Sequence, residues 1–267
     1  MLLLHGYPQT HVMWHRVAPR LAERFSVVCP DLRGYGDSGK PASDESHEPY
    51  SKRVMARDQL ELMKELGFDR FALVGHDRGA RVARRLALDH PDAVSRLAVL
   101  DIVPTETIYT TLSQQHATTV WRYFFLIQPP DLPERLIGSD PLFYLDWTFD
   151  EWCGTPGGLT GPALAEYRRC FDPATVRATC ADYRAGATID LAHDRAEPRR
   201  LGCPVLVLWS NQGIGSAYDV LAVWSAQAKD VRGHALDCGH FLAEERPGEV
   251  AAALEGFLGE ADYRATR

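Results

Sequence analysis

The sequence predicts an α/β fold: a mainly parallel sheet with helices on both faces and a helical block inserted between two strands. Short apolar runs typical of strands buried on both faces, Phe71 to Val74, Leu97 to Leu100 and Pro204 to Trp209, alternate with stretches of helical periodicity. Between about Thr105 and Glu197 that alternation stops, and the chain becomes rich in aromatics and proline with no convincing strand. The core is therefore expected over 1–104 and 198–267, with 105–197 as a lid, because ligands of open α/β sheets bind outside the carboxyl ends of the strands.

Taken in order, Met1 to His5 reads as a buried strand, and His5-Gly6-Tyr7-Pro8 as a stiff loop able to aim a backbone N–H at a reacting oxygen. Trp14 to Arg24 is expected as a short helix, Phe25 to Cys29 as a second strand, and Asp31 to Ser38 as a glycine-punctuated loop. Val54 to Leu66 has apolar residues at 55, 60, 63 and 66, an amphipathic helix that Gly67 ends. After Phe71 to Arg85 comes a strand from Arg96 to Pro104. Beyond the lid, Pro204 to Trp209 and Val231 to Leu236 are strands, and Gly248 to Leu258 is a closing helix.

The chemistry centres on Phe71 to Arg85, FALVGHDRGARVARR. An apolar strand, a tight turn between Gly75 and Gly79, and a helix with Ala80, Ala83 and Ala87 on one face form a nucleophile elbow. The usual serine position holds Asp77. A carboxylate needs no base to become a nucleophile, but the ester it forms must be cleaved by water. Alkyl halides and epoxides suit it, because displacement at carbon leaves a hydrolysable alkyl-aspartyl ester. The competing reading, Asp77 as a simple helix N-cap, does not account for the strand and both glycines.

His240, in Cys238-Gly239-His240-Phe241 after the last strand, stands where a nucleophile–acid–histidine order puts the base. His5 and His76 adjoin motifs as structural residues, and His90, His193 and His234 read as surface or loop positions. Asp101, directly after Leu97 to Leu100, is the expected acid. Trp209-Ser210-Asn211-Gln212-Gly213 offers no carboxylate, so Asp219 and Asp237 are the alternatives. Arg78 and Arg81, at i and i+3, can present two guanidiniums beside Asp77 and grip a substrate carboxylate. The alternative for Arg81 is a structural ion pair with a lid carboxylate.

Composition narrows the class. A formal net charge of −7 argues against general nucleic-acid binding. The six cysteines are scattered without a Cys-x-x-Cys pair, so neither a zinc site nor a disulfide framework is expected, and a reduced cytoplasmic setting follows. Neither a membrane span nor a signal peptide is read, and no metal or cofactor is called for.

His5 to Thr10, Asp31 to Ser38, Gly75 to Arg81, Leu100 to Thr105, Asp182 to Gly186 and Gly239 to Leu242 resemble the fluoroacetate (haloacetate) dehalogenases of the α/β-hydrolase superfamily. The resemblance spans nearly the whole chain. It implies Asp77 as nucleophile, His240 as base, Asp101 as acid, Arg78 and Arg81 as carboxylate ligands, and the N–H groups of Tyr7 and Arg78 as oxyanion hole. It also implies a halide pocket made by the lid. Tyr183 matches its tyrosine and Trp152 an additional tryptophan, while the family's His-Trp pair is replaced by Arg122-Tyr123. The family has about one further β-hairpin before Leu2, absent here, so the Phe25 to Cys29 strand is expected as an exposed edge. A homodimer is a further implication of the resemblance.

The expected activity is hydrolytic dehalogenation of a small anionic 2-haloacid through an aspartyl ester. An epoxide hydrolase using Tyr123 and Tyr183, and an inactive or ligand-binding homologue, are the other readings.

Overall fold

The computed structural model describes residues 1–111, 113–197 and 199–259. Five parallel strands, β1 (Leu2–Leu4), β2 (Phe71–His76), β3 (Val94–Leu100), β4 (Val205–Ser210) and β5 (Val231–Leu236), lie side by side in that order. One register row runs Leu3, Val74, Ala98, Leu206, Arg232 across the sheet.

Period-two alternation sends successive strand residues to two separate cores, which is why β1, Phe71 to Val74, Leu97 to Leu100 and β4 up to Trp209 read as unbroken apolar runs. Leu73, Leu97, Val99 and Val207 pack with Met63 and Leu86, from α2 (Lys52–Glu65) and α3 (Asp77–Asp89). Val74, Ala98, Leu100 and Leu208 pack on the other face with Leu21 and Leu254, from α1 (Ala18–Ala22) and α15 (Pro247–Leu258). Helices thus cover both faces, as expected.

Between β3 and β4 the described residues form only helices: α4 (Thr105–Thr110), α5 (Gln114–Thr119), α6 (Trp121–Leu126), α7 (Leu132–Ser139), α8 (Pro141–Trp152), α9 (Gly161–Cys170), α10 (Pro173–Ala187) and α11 (Ile189–Ala196). Between β4 and β5 lie α12 (Gly213–Ala217) and α13 (Val220–Ser225), and α14 (Leu242–Glu245) precedes α15. None of the described helices is long and apolar enough to cross a membrane.

Three local expectations are corrected. Phe25 to Cys29 is not a strand. Only Val28 bridges to β1, through Leu3 N–H to the Val28 carbonyl at 2.9 Å and Val28 N–H to the Met1 carbonyl at 3.0 Å. With only three residues, β1 offers little ladder, and Pro30 has no N–H to continue one. The helix expected over Trp14 to Arg24 is a 3-10 turn (His11–Trp14) followed by α1, because Pro19 sits in a first turn, where it starts a helix rather than continuing one. The strand expected to reach Pro104 stops at Leu100, where Asp101 turns to φ +53°.

Close approach of backbones fixes the junction of β1, β2 and α3. A Cβ on Gly79 would lie 2.3 Å from the His5 carbonyl oxygen and 2.6 Å from that of Leu4, neither of which can yield without moving β1. Gly256, exposed in α15, has no such neighbour within 4 Å. The same substitution should therefore have opposite signs. Gly79→Ala lowers the unfolding free energy measured in urea by upwards of ~2 kcal/mol, whereas Gly256→Ala raises it by about 0.5–1 kcal/mol. Equal effects from the two would contradict this packing.

Candidate active site

The elbow forms as the sequence predicts. β2 delivers the chain to Asp77, which opens α3 at φ +43° and is 3 % exposed. Such backbone costs a non-glycine residue about 1–3 kcal/mol. The surroundings enforce it: a Cβ on Gly75 would strike Ala80 backbone at 2.6 Å, and one on Gly6 would strike the Asp77 Cβ at 2.5 Å. Tyr7 N–H, on the loop after β1, donates to Asp77 Oδ2 at 3.1 Å.

His240 and Asp101 complete the arrangement. His240 Nδ1–H donates to Asp101 Oδ2 at 2.6 Å, and Ser210 N–H at the end of β4 donates to Asp101 Oδ1 at 2.8 Å. This assigns the proton to Nδ1 and leaves Nε2, which has no hydrogen-bond partner among the described residues, with its lone pair free. Burial works against the imidazolium, but the Asp101 hydrogen bond and charge, with the charges of Asp77 and Glu245, outweigh it and raise His240 above an ordinary imidazole. The alternative acids are engaged elsewhere: Asp219 caps α13 through Ala222 N–H, and Asp237 accepts from Asn211 Nδ2.

The other histidines are structural or peripheral. His5 Nε2 accepts Leu32 N–H at 3.0 Å. His76 Nε2–H donates to the His240 carbonyl at 2.8 Å, and burial, then the neighbouring His240, holds His76 well below the usual imidazole range, hence neutral.

A cavity of about 280 Å³ opens onto these groups, lined among others by Asp77, Asp101, His240, Arg122, Tyr123 and Trp152. Four of the proposed site residues, Tyr7, Arg78, Arg81 and Tyr183, are not in that lining and pack around it instead. A larger groove of about 770 Å³, between residues 40–50 and α10, contains none of the candidate catalytic groups.

Arg78 and Arg81 are both buried. Arg78 gives Nε and Nη2 to Asp182 of α10 at 2.8 and 2.7 Å and stacks on Tyr183, 4.1 Å from the ring centre. The structural ion pair considered for Arg81 thus falls on Arg78. Lys52 also pairs with Asp182. Burial alone would raise the Asp182 carboxyl, but the two cations hold it well below the usual carboxylate range. Arg81 donates Nη1–H to the Val103 carbonyl at 3.1 Å and to Thr105 Oγ1 at 2.8 Å, and Nη2–H to the Tyr123 hydroxyl at 2.9 Å; its Nε is buried without a partner among the described residues.

Tyr123 and Tyr183 meet edge to face at 5.2 Å, and the buried Tyr183 hydroxyl has no hydrogen-bond partner among the described residues. Burial, then the nearby Asp77 charge, raises Tyr183 well above an ordinary phenol, so it keeps its proton. Arg122 is clasped by Trp121, Trp147 and Trp152, with ring centres 4.6, 4.8 and 4.6 Å from its guanidinium carbon, and Nη1 pairs with Glu151. Trp152 also meets the His240 ring edge-on at 4.8 Å and accepts His240 N–H on its carbonyl at 2.8 Å.

Asp182, Glu151 and Glu245 were assigned no role from the sequence. Asp182 carries a readable signal, since it precedes Tyr183 in Asp182 to Gly186, and a buried arginine pair requires a counter-charge. Glu151 and Glu245 had none, because their partners arrive through tertiary packing.

Comparison with known proteins places the chain in a family. Residues 1–247 match the family described as alpha/beta hydrolase fold. A fluoroacetate dehalogenase of Burkholderia sp is 45 % identical over 98 % of this chain and 87 % of its own. A soluble epoxide hydrolase of Corynebacterium sp. (strain C12) is 35 % identical over 92 % of this chain and 85 % of its own. The crystal structure of ALR0039 from Nostoc sp PCC 7120 superimposes with a TM-score of 0.96 at 57 % identity, covering 97 % of this chain and 90 % of that one.

The site makes a signed prediction. By NMR, the His240 ring should titrate above about 6.5, the ordinary imidazole value. In Asp101→Asn, burial wins and the midpoint should fall below it. An unchanged midpoint would mean that Asp101 does not set the charge of this histidine.

Proposed function

The chain belongs to the alpha/beta hydrolase family, and from that premise we propose that it hydrolyses short 2-haloacids through a covalent ester on Asp77. The observation that carries this reading is the Asp77 carboxylate facing the same cavity as His240, whose ring is oriented by Asp101. Tyr7 N–H occupies Oδ2, so Oδ1 attacks the α-carbon, forming the C–O bond as the C–halogen bond breaks and halide departs. His240 Nε2 then takes a proton from water as that water adds to the Asp77 carboxyl carbon. The oxyanion develops on Oδ2, against Tyr7 N–H, with Arg78 N–H as the second donor. Collapse expels the alkoxide of the product, which takes the proton from His240 and leaves as the 2-hydroxyacid, and Asp77 returns to its carboxylate by losing a proton to solvent.

Carboxylate recognition is assigned to Arg81, whose Nε is unclaimed, and to the Arg78 amino group outside the Asp182 grip. Arg122, Tyr123, Trp152 and Tyr183 form the leaving-group side. Fluoride leaves poorly, so donors aimed at its developing charge matter most for it. Arg122 is held by three tryptophans and Glu151, a different reach from the histidine found in the resembled family.

A second reading, epoxide hydrolysis, is favoured by one observation: Tyr183 and Tyr123 lie together near Asp77 with the Tyr183 hydroxyl unengaged, a pair able to protonate an epoxide oxygen. The fluoroacetate dehalogenase and epoxide hydrolase relatives support the two readings respectively.

Separate incubations with bromoacetate and styrene oxide, following halide and diol, discriminate them. Halide release with little diol is expected, falling at least ~10³-fold in Asp77→Asn. Diol with no halide would make the second reading correct, and neither product would leave a binding protein. Chloro- and bromoacetate should turn over faster than fluoroacetate, with Arg122→His narrowing the gap. Fluoroacetate rates equal to or above the others in the wild type would contradict this view of Arg122.

A further inference from the structure

Asp101 orients the His240 ring, but the ring can be no better placed than the backbone that carries it. That backbone is held at every polar group. His240 N–H donates to the Trp152 carbonyl and its own carbonyl accepts from His76. The flanking N–H groups converge on one side chain: Gly239 N–H donates to Glu245 Oε2 at 2.9 Å, and Phe241 N–H to Glu245 Oε1 at 3.0 Å.

Glu245 is 5 % exposed, and no Lys, Arg or His pairs with its carboxylate among the described residues. Arg246 reaches only its carbonyl, at 3.0 Å. A buried carboxylate without a cation is unfavourable unless donors satisfy it. Here the two donors are the peptide groups on either side of His240, and bonds to a charged acceptor are stronger than neutral ones. Both oxygens are used, so a shift of the 239–241 loop would strain one bond or the other. Glu244, the preceding residue, faces away to Gln9 and Tyr167. Burial pushes it up to about 8, so it adds little charge at neutral pH.

We propose that Glu245 is a positioning residue for the hydrolytic step, holding His240 in reach of the Asp77 ester by gripping the peptide N–H groups that flank it. The proposal rests on reading His240 as the base. Burial opposes the His240 imidazolium, and the charge of Glu245 favours it, beside the hydrogen bond and charge of Asp101 and the charge of Asp77; His76, against the ring at 4.5 Å, is neutral. Glu245 therefore has two separable effects, one of reach and one of charge.

Two variants separate them. Glu245→Gln keeps the length but loses the charge and one acceptor, while Glu245→Asp keeps the charge but loses the reach. The His240 ring is titrated by NMR in each, with His240→Gln for assignment, and kcat and KM are measured for the substrate turned over by the wild type. In Glu245→Gln the midpoint should fall below that of the wild type. There kcat and KM should fall together, by about tenfold, with kcat/KM within about twofold, the pattern expected when breakdown of the Asp77 ester is slowed and its formation is not. In Glu245→Asp the midpoint should hold while kcat drops by a similar factor. Wild-type kcat in Glu245→Asp, or a wild-type midpoint and kcat in Glu245→Gln with only the melting temperature lowered, would overturn the proposal. Full activity in His240→Gln would instead remove His240 as base, and the ring titration would still judge the charge effect of Glu245.

Discussion

The fold depends on a contact between backbones at the junction of β1, β2 and α3. Gly79 lies against the carbonyls of Leu4 and His5, and Gly6 against the Asp77 Cβ. Because neither approach admits a side chain, the turn after β2 is forced tight, and Asp77 takes positive φ at its apex. The same contact brings Tyr7 N–H to the Asp77 carboxylate. Parallel pairing then places the ends of β3 and β4, and the loop after β5, on the same side of the sheet. Asp101, Ser210 and His240 therefore reach one another over 109 and 139 residues of sequence separation.

A second layer of constraint comes from the segment between β3 and β4. Asp182 on α10 ties that helix to Arg78 on α3 and Lys52 on α2. Trp152 at the end of α8 accepts the His240 N–H and packs against its ring. Tyr167 on α9 reaches Glu244, which also holds Gln9 of the β1 loop. These helices do more than roof the cavity: they bond to the elements that carry Asp77 and His240. Charge balance follows the same plan, since a buried arginine without Asp182 would be left unpaired at several kcal/mol of cost, on the order of 3–5.

Much of this was legible in sequence because it depends on local pattern. The elbow is written in the apolar run, two glycines and an alanine-spaced helix, and Asp101 and His240 are each named by their place after a strand. Phe25 to Cys29 misled because composition suits a strand but cannot reveal that three-residue β1 supports only a single bridge there. The arginines were half legible. Spacing put Arg78 and Arg81 together beside Asp77, but which one meets a carboxylate of α10 is decided by how α10 crosses α3, which no local pattern encodes. The clasp of three tryptophans around Arg122 and the grip of Glu245 on residues 239–241 are likewise products of packing.

The central claim is that Asp77 bonds covalently to substrate and is freed by water entering at its own carboxyl carbon. A single turnover in heavy-oxygen water with enzyme in excess, followed by mass spectrometry of the peptide spanning 71–85, tests it directly. The account predicts heavy oxygen in the Asp77 side chain and unlabelled oxygen in the first product released. Label in the product, with none in the peptide, would mean that water attacks the substrate itself and would contradict it.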